Sequence, residues 1–265
     1  MTRPLAGVTV VVTRPRAQAT RFAALVSAAG GTPLLLPALD IEPIELDADA
    51  RNRLAPDSFD WTIYTSANAV ESSLRQLPQP VRTRIAAVGR GTARALAEHG
   101  VAVHALPATT ADSEGLLALE PFAAVAGRRI LILKGEGGRT LLREALERRG
   151  ATVVTGDLYR RVAAVPDSAS LAALEHACAT GRVVVAVTSA DSLAALLAAV
   201  PDDRLPQLRE TALLVPGERV AASARAQGWR GPRVVATSAE DAAMADALPG
   251  SVAAGGPAGG RLPPA

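Results

Sequence analysis

Short apolar runs alternate with amphipathic segments along most of the chain. In the first unit the apolar run VTVVV is followed by a polar turn, and Phe22, Leu25 and Val26 then recur at helical spacing before Gly30. A second apolar run, TPLLL, completes a strand–helix–strand pattern. Because this alternation continues along the chain with short turns, it predicts an α/β fold with doubly wound parallel sheets.

The first unit recurs in the second half of the chain. The segment that begins at Gly127 aligns without a gap with the segment that begins at Gly7, and Gly150 corresponds to Gly30. Two shorter segments also recur: FDWTIYTSANAV resembles RVVVAVTSADSL, and VGRGTARALAEHG resembles PGERVAASARAQG. Internal similarity of this kind indicates two units of similar topology.

Polar turns between predicted strands and predicted helices are the candidate binding sites. In open α/β sheets such turns lie at the carboxyl ends of the strands, where ligands bind, and two facing edges would form a cleft. Ordinary helix capping explains any one turn by itself. Several turns rich in small and hydroxyl residues together favour a ligand site. The turns are TRPRAQ, TSANAV, GRGTA, KGEGGR, TSADS and PGERV.

The VGRGTARALAEHG segment resembles the glycine-rich turn of dinucleotide-binding domains. Gly89 and Gly91 follow an apolar run and precede a helical pattern, as that fingerprint requires. However, Arg94 stands where the third glycine belongs, and the next strand-like run, VAVHAL, ends without a carboxylate that could bind a ribose. The related turn at Gly217 lacks the second glycine. The pattern therefore favours an anion-binding turn at a helix N-terminus, with a nucleotide-dependent enzyme as the alternative.

Composition narrows the possible functions. The net charge is +2 over 265 residues and basic runs with interleaved aromatics are missing, so no nucleic-acid partner is expected. The single Cys178 and three scattered histidines lack the spacing of zinc ligands, so a metal site is not expected. Neither a signal peptide nor an apolar segment of membrane-spanning length is evident, so a cytoplasmic protein is expected.

Two proline-bearing segments interrupt the alternation of strands and helices. The segment PLLLPALDIEPIEL contains three prolines, and TVVTGDLYRRVAAVP ends at Pro166. Since proline opposes helix and favours extended chain, both segments are expected to be extended connectors between domains. The repeat by itself favours two tandem domains divided near residue 122. Residues 251–265, rich in Gly, Pro and Ala, are expected to form a disordered tail.

Taken together, these segments resemble the uroporphyrinogen-III synthase family over about residues 7–248. Each string has low specificity, and the resemblance rests on their order and spacing. It implies two interleaved α/β domains joined by the two extended connectors: residues 1–37 with 166–250 form the first domain, and residues 44–160 form the second. The strings are VTRP from Val12, TSANAV from Thr65, VGRGTARAL from Val88, KGEGGRTLLREALERRGA from Lys134, LYRR from Leu158 and TSADSL from Thr188.

The resemblance also implies a reaction. The substrate would be hydroxymethylbilane, a linear tetrapyrrole with many carboxylates. The enzyme, a hydro-lyase, would eliminate its hydroxyl as water, invert ring D and close the macrocycle to uroporphyrinogen III. The family uses no cofactor, and a monomer that binds neither nucleic acid nor membrane is expected. A non-catalytic tetrapyrrole- or anion-sensing module of the same fold is the alternative.

Site residues follow from the same resemblance. Tyr159 matches the tyrosine that follows the second repeated helix, and it is the candidate proton donor to the departing hydroxyl because a phenol stays protonated at neutral pH. Packing of its ring between domains is the alternative. Glu218 and Arg219 follow Gly217 where the family often has hydroxyl residues, so backbone contacts are expected there. The candidate substrate-binding residues are Arg14, Ser66, Asn68, Gly89, Thr92, Lys134, Arg139, Thr188, Ser189, Ser192 and Gly217.

Overall fold

The computed structural model of the chain describes residues 4–108, 112–138, 140–180 and 182–254. The described residues fall in two compact units. The first unit takes the chain up to Asp40 and again from Val162 onward, and the second unit holds Ile41–Arg161. Each unit is built on one five-stranded sheet.

The sheet of the first unit is parallel throughout, with the strand order β10-β9-β8-β1-β2. Its strands are β1 (Val8–Val12), β2 (Thr32–Leu35), β8 (Arg182–Ala186), β9 (Ala212–Val215) and β10 (Arg233–Val235). Its helices are α1 (Arg16–Ala28), α7 (Ser168–Thr180), α8 (Ala190–Ala199), α9 (Leu205–Glu210), α10 (Glu218–Ala226) and α11 (Asp241–Ala254).

Two apolar layers cover the two faces of this sheet. Val10 and Val12 pack in the layer that contains α1 and α11, whereas Val11 packs in the layer that contains α7, α8 and α10. This alternation follows from the opposite directions of successive side chains in a strand. From β1 the chain passes to β2, the neighbour of β1 on one side, and it later forms β8, the neighbour of β1 on the other side. The strand order therefore reverses between β1 and β8, which is where ligands bind in open α/β sheets.

The second unit repeats this plan with the strand order β3-β7-β6-β4-β5. Helices α3 and α4 cover one face of its sheet, and α5 and α6 cover the other. The strand order reverses between β4 and β6. Its strands are β3 (Leu39–Pro43), β4 (Trp61–Tyr64), β5 (Arg84–Ala87), β6 (Arg129–Gly135) and β7 (Thr152–Ala163). Its helices are α2 (Ala48–Arg53), α3 (Ala67–Gln76), α4 (Arg90–Glu98), α5 (Ser113–Leu117) and α6 (Leu141–Arg148).

Strand β3 differs from the parallel pattern. Strands β4 to β7 pair in parallel, but backbone hydrogen bonds join Ile44 to Leu158 and Ala38 to Ala164. Residue numbers therefore rise along β3 while they fall along β7, and the two strands run antiparallel. The proline-bearing segments predicted to be extended thus contain β2, β3 and β7, and the compact units divide inside them.

The strand predicted for VAVHAL is wrong. Only an isolated bridge joins Ala105 to Ala86 among the described residues of this run. The Nδ1 atom of His104 accepts a hydrogen bond of 3.0 Å from the backbone N–H of Ile85. Because this side chain takes the place of a strand carbonyl, a regular ladder does not form between this run and β5.

The predicted start of the disordered tail also differs from the structure. Helix α11 continues through Pro249 to Ala254, and Ser251 is fully buried. Met244 and Leu248 are one helical turn apart and are buried, which stabilises the helix although proline removes one of its hydrogen bonds. Residues 255–265 lie outside the described residues. Within the described part of the chain, every helix is too short or too polar to span a membrane.

Candidate functional site

The carboxyl edge of the second sheet brings together four of the candidate residues. Ser66 follows β4 and precedes α3, and Gly89 follows β5 and precedes α4. Lys134 lies at the end of β6, and Tyr159 lies in β7, which pairs with β6. Since the ends of neighbouring parallel strands lie at one edge of a sheet, these residues form one candidate site in the second unit.

Tyr159 is held tightly from two sides. Only 3% of the residue is exposed, and its hydroxyl oxygen lies 3.0 Å from Ser66 Oγ. A Cβ atom added at Gly135 would lie 2.5 Å from Tyr159 Cζ, so only glycine leaves room for the ring. The phenol therefore has one defined position in the second unit.

A β-bulge sets the direction of Tyr159. Lys134 pairs with Asp157, but the next residue, Gly135, pairs with Tyr159, so Leu158 is the extra residue in β7. In a regular strand Leu158 and Tyr159 would face opposite sides of the sheet. Both are instead buried in the apolar layer that contains α3 and α4. Bulges often redirect side chains beside functional sites, and this one turns Tyr159 toward Ser66.

Ser66 connects Tyr159 to helix α3. Its Oγ accepts a hydrogen bond of 3.1 Å from the backbone N–H of Ala69, which is an N-cap interaction. The residue before it, Thr65, donates its hydroxyl to the carbonyl of Leu133 at 3.3 Å. Asn68 lies half-buried in the first turn of the same helix. The TSAN turn is thus both a helix cap and a row of hydroxyl and amide groups.

Lys134 organises the turn that follows β6. Its Nζ atom lies 2.7 Å from Asp157 Oδ1 and donates to the carbonyls of Gly135 and Gly137 at 3.1 and 2.8 Å. These three contacts match the three hydrogens of an ammonium group. Lys134 is therefore engaged within the second unit. The other basic candidate of this turn, Arg139, lies outside the described residues.

The two related glycine turns leave helix N-termini open. Gly89 and Gly217 occupy the N-cap positions of α4 and α10, where they offer no capping side chain, so the first N–H groups of each helix can bind an anion. Thr92 is buried in the first turn of α4. Gly217 has φ 176°, which is extended backbone, and a Cβ there would meet no described atom within 4 Å. Neither conformation nor packing requires glycine at this position.

In the first unit, Ser189 and Ser192 form a reciprocal cap of α8. Ser189 Oγ accepts from the backbone N–H of Ser192 at 3.0 Å, and Ser192 Oγ accepts from the backbone N–H of Ser189 at 3.1 Å. Ser192 Oγ also donates to the carbonyl of Ser189 at 2.9 Å and is buried. Thr188 is half-buried immediately before this cap. The Ser192 hydroxyl is thus used by the helix itself.

Arg14 anchors the start of helix α11. Its guanidinium lies 3.0 Å from Asp241 Oδ1, donates to the carbonyl of Ala239 at 2.8 Å and stacks 5.2 Å from the centre of the Phe22 ring. Burial lowers the pKa of Arg14, and the negative charge of Asp241 opposes that effect. The sequence pattern missed this pairing because the two partners lie at opposite ends of the chain.

The chemistry available at these turns is hydrogen-bond donation and proton transfer. Hydroxyls, an amide, open helix N-termini and one phenol lie at the carboxyl edges of the two sheets. Within the described residues, nowhere do three His, Cys, Asp or Glu side chains converge as metal ligands. The sequence analysis did not identify Gly135 and Asp157 as site residues. The consecutive apolar residues Leu158 and Tyr159 break the alternation of a regular strand and could have indicated the bulge.

Comparison with known proteins agrees with the resemblance seen in the sequence. The family model for uroporphyrinogen-III synthase HemD matches residues 20–246. The uroporphyrinogen-III synthase of Salmonella typhimurium is 33% identical over 244 residues, which cover 89% of this chain and 98% of that protein. The Escherichia coli uroporphyrinogen-III synthase is 32% identical over 244 residues, with the same coverage.

Solved structures confirm the predicted fold class. A mutant uroporphyrinogen III synthase from Thermus thermophilus matches with a TM-score of 0.57 and 24% identity over 94% of this chain and 99% of that chain. The Helicobacter pylori enzyme matches with a TM-score of 0.60 and 17% identity over 91% and 97% of the two chains. These similarities support the fold, and the family follows from the sequence matches. The chain therefore belongs to the uroporphyrinogen-III synthase family and is an enzyme of tetrapyrrole biosynthesis.

Proposed function

We propose that this enzyme converts hydroxymethylbilane to uroporphyrinogen III, with inversion of ring D and loss of water, and that Tyr159 donates the proton to the departing hydroxyl. The observation that supports the role of Tyr159 is its contact with Ser66 at the carboxyl edge of the second sheet, where the Tyr159 hydroxyl oxygen lies 3.0 Å from Ser66 Oγ and Tyr159 is buried. A bulge and a glycine with no room for a Cβ both serve to place this phenol. The proposal requires the substrate to reach the hydroxyl end of the ring.

The proposed step needs only a modest acid. The hydroxyl leaves from a carbon attached to a pyrrole ring, whose nitrogen lone pair stabilises the cation that remains. As the C–O bond breaks, its electron pair stays with oxygen, the phenol O–H bond breaks and water forms. The phenolate takes a proton back when the closed macrocycle loses one to restore its pyrrole ring. General acid catalysis of this kind typically accelerates a reaction by about 10²- to 10⁴-fold.

Substrate carboxylates are proposed to bind at the strand-end turns. The open N-termini of α4 and α10, at Gly89 and Gly217, supply backbone N–H groups and the positive ends of helix dipoles. Hydroxyl and amide groups supply further donors. In this proposal Arg14, Lys134 and Ser192 hold the turns in shape through their contacts, and Arg14 and Lys134 also add positive charge. The proposed direct contacts are Asn68, Gly89, Thr92, Arg139, Thr188, Ser189 and Gly217. Ser66 is not among them, because its hydroxyl faces Tyr159.

The product isomer tests the proposed reaction. The intact enzyme is mixed with freshly generated hydroxymethylbilane, the products are oxidised, and porphyrin isomers I and III are separated. We expect isomer III to predominate and its rate to scale with enzyme concentration. Isomer I alone, formed at the rate seen in buffer, would contradict the proposed reaction and favour a sensing module of the same fold.

Three further points are proposed at the level of the whole protein. The interleaved domains, residues 1–37 with 166–250 and residues 44–160, are supported by the division of the chain near Asp40 and Arg161. We also propose that the enzyme acts as a monomer in the cytoplasm. Light scattering coupled to size exclusion tests the monomer, and cell fractionation tests the location.

A further inference from the structure

The hydrogen-bond partners of Ser66 leave two arrangements for its hydroxyl hydrogen. A serine hydroxyl has one hydrogen to donate and two lone pairs to accept with. One lone pair of Ser66 Oγ is engaged by the backbone N–H of Ala69 at 3.1 Å. The other near partner is the Tyr159 hydroxyl oxygen at 3.0 Å. Either hydroxyl can donate in this second contact, and the two choices differ in the proton they leave available.

If Tyr159 donated to Ser66, its only acidic hydrogen would be directed away from any ligand. If Ser66 donates to Tyr159, the phenol hydrogen is free and the phenol oxygen already has a donor. We propose that Ser66 is a positioning residue that donates its hydroxyl hydrogen to Tyr159 and thereby presents the phenol proton to the departing hydroxyl. This inference rests on the proposed role of Tyr159.

The same contact stabilises what the proton transfer produces. When the phenol gives up its proton, negative charge develops on the oxygen that faces Ser66. A hydrogen bond to a charged acceptor is stronger than one between neutral groups, so the Ser66 contact strengthens as the reaction proceeds. An interaction that strengthens in the transition state raises the turnover rate and leaves substrate binding little changed.

The surroundings keep this geometry fixed. Ser66 is held by its N-cap bond to α3, and Tyr159 is held by the bulge in β7 and by the close approach of Gly135. The backbone N–H of Glu136 also donates to the carbonyl of Tyr159 at 2.7 Å. Both hydroxyls are therefore attached to defined backbone positions. Such preorganisation is what a proton donor needs.

The test separates the hydroxyl from the helix cap. Glycine is nearly as good as serine at an N-cap, so Ser66→Gly removes the hydroxyl with little loss of helix stability. Ser66→Thr keeps both the cap and the hydroxyl. Each substitution is made in the wild-type enzyme and in Tyr159→Phe, and kcat and KM for isomer III formation are measured. Asp47→Gly, which removes an N-cap from α2 in the same unit, is the matched control.

We expect Ser66→Gly to lower kcat by about 10- to 100-fold with KM changed less than about threefold, and Ser66→Thr to restore most of kcat. In Tyr159→Phe, Ser66→Gly should have no further effect because both residues act in one step. Asp47→Gly should leave kcat unchanged.

Three results would overturn the inference: unchanged kcat in Ser66→Gly, an increase confined to KM, or independent multiplicative effects of the two substitutions. Failure of this inference can be distinguished from failure of the proposed role of Tyr159. If Tyr159→Phe lowers kcat and Ser66→Gly does not, only the role of Ser66 fails. If Tyr159→Phe has no effect, the proposed proton donor fails and the role of Ser66 fails with it.

Discussion

At the scale of single residues, the position of the Tyr159 phenol depends on the small size of its neighbours. Gly135 leaves room for the Tyr159 ring because it has no Cβ, and Ser66 is small enough to cap α3 and still reach the Tyr159 hydroxyl. Both conditions join residues far apart in the chain. They are visible only once β6 and β7 are paired in register.

Adding one methyl group at Gly135 tests this dependence. In Gly135→Ala the new Cβ would overlap the Tyr159 ring, which must move. We expect overpacking to lower the free energy of unfolding by about 1–3 kcal/mol, and kcat to fall by about tenfold or more because the phenol is displaced. Urea unfolding and the isomer III assay measure the two effects.

The matched control for this change is Gly250→Ala. There the nearest contact of an added Cβ is an ordinary 3.8 Å, to Val234. Because Gly250 lies inside helix α11, the free energy of unfolding should stay unchanged or rise by about 0.5–1 kcal/mol, and kcat should stay close to wild type. Full activity in Gly135→Ala would show that the position of the Tyr159 ring is not needed.

An acidic side chain at Gly217 tests the proposed anion site at α10. Aspartate is a good N-cap, so Gly217→Asp should leave the unfolding free energy unchanged or raise it by about 0.5–1 kcal/mol. Its carboxylate would occupy the N–H groups proposed for the substrate, so KM should rise by about tenfold or more.

The exposed Ala222, further along α10, supplies the control for net charge. Ala222→Asp adds the same charge away from the helix N-terminus, so its KM should be close to wild type. Equal KM values in Gly217→Asp and the wild-type enzyme would remove Gly217 from the binding site. Thermal unfolding and steady-state kinetics measure both variants.

At the scale of elements, the apolar pattern predicted most helices and strands because each buries one stripe or one face. The repeat correctly paired the turns at Ser66 and Ser189, and both serines cap helices. The bulge in β7 and the side-chain bond from His104 were not predictable, because both depend on the register of strands that are distant in sequence. The pairing of Arg14 with Asp241 could not be predicted for the same reason.

The contact of Arg14 with α11 gives a prediction for this element. The side chains of Arg14 and Asp241 are only 13% and 16% exposed, so losing one partner leaves a charge poorly solvated. We expect Arg14→Ala to lower the free energy of unfolding by about 2–4 kcal/mol. Arg128→Ala breaks an ion pair whose side chains are 61% and 38% exposed, and should cost less than about 1 kcal/mol. Equal effects of the two substitutions would contradict the proposed anchor.

At the scale of the whole molecule, the two tryptophans report on different units. Trp229 is buried in the first unit and Trp61 in the second. If the units behave as separate domains, Arg14→Ala should shift the unfolding transition seen by Trp229 and leave that seen by Trp61 in place. Variants in which either tryptophan is replaced by phenylalanine isolate each signal. One common transition that shifts for both probes would count against separate domains.

Global stability should fall in alkali. Burial raises the pKa of the Cys178 thiol from 9.0 to about 11, and burial also raises the pKa of the Tyr64 phenol while its hydrogen bond to Ser73 opposes this. Above pH 9 the unfolded chain loses these protons while the folded chain keeps them, so the unfolding free energy decreases as pH rises.

Urea unfolding at pH 8 to 11 measures this dependence. Cys178→Ser should reduce the decrease between pH 9 and 11, because a serine hydroxyl does not titrate there. A decrease as steep as that of the wild-type protein would show that Cys178 contributes nothing to it.

The most direct measurement of the central claim compares Tyr159→Phe with Tyr64→Phe, since these are the only two tyrosines in the chain. Tyr64 is fully buried in the second unit and has no proposed role in the reaction, so it controls for the loss of a phenol hydroxyl. We predict that Tyr159→Phe lowers the kcat of isomer III formation by about 10²-fold or more, whereas Tyr64→Phe changes it less than about threefold. Equal, near-wild-type kcat in both variants would contradict the claim that Tyr159 donates the proton.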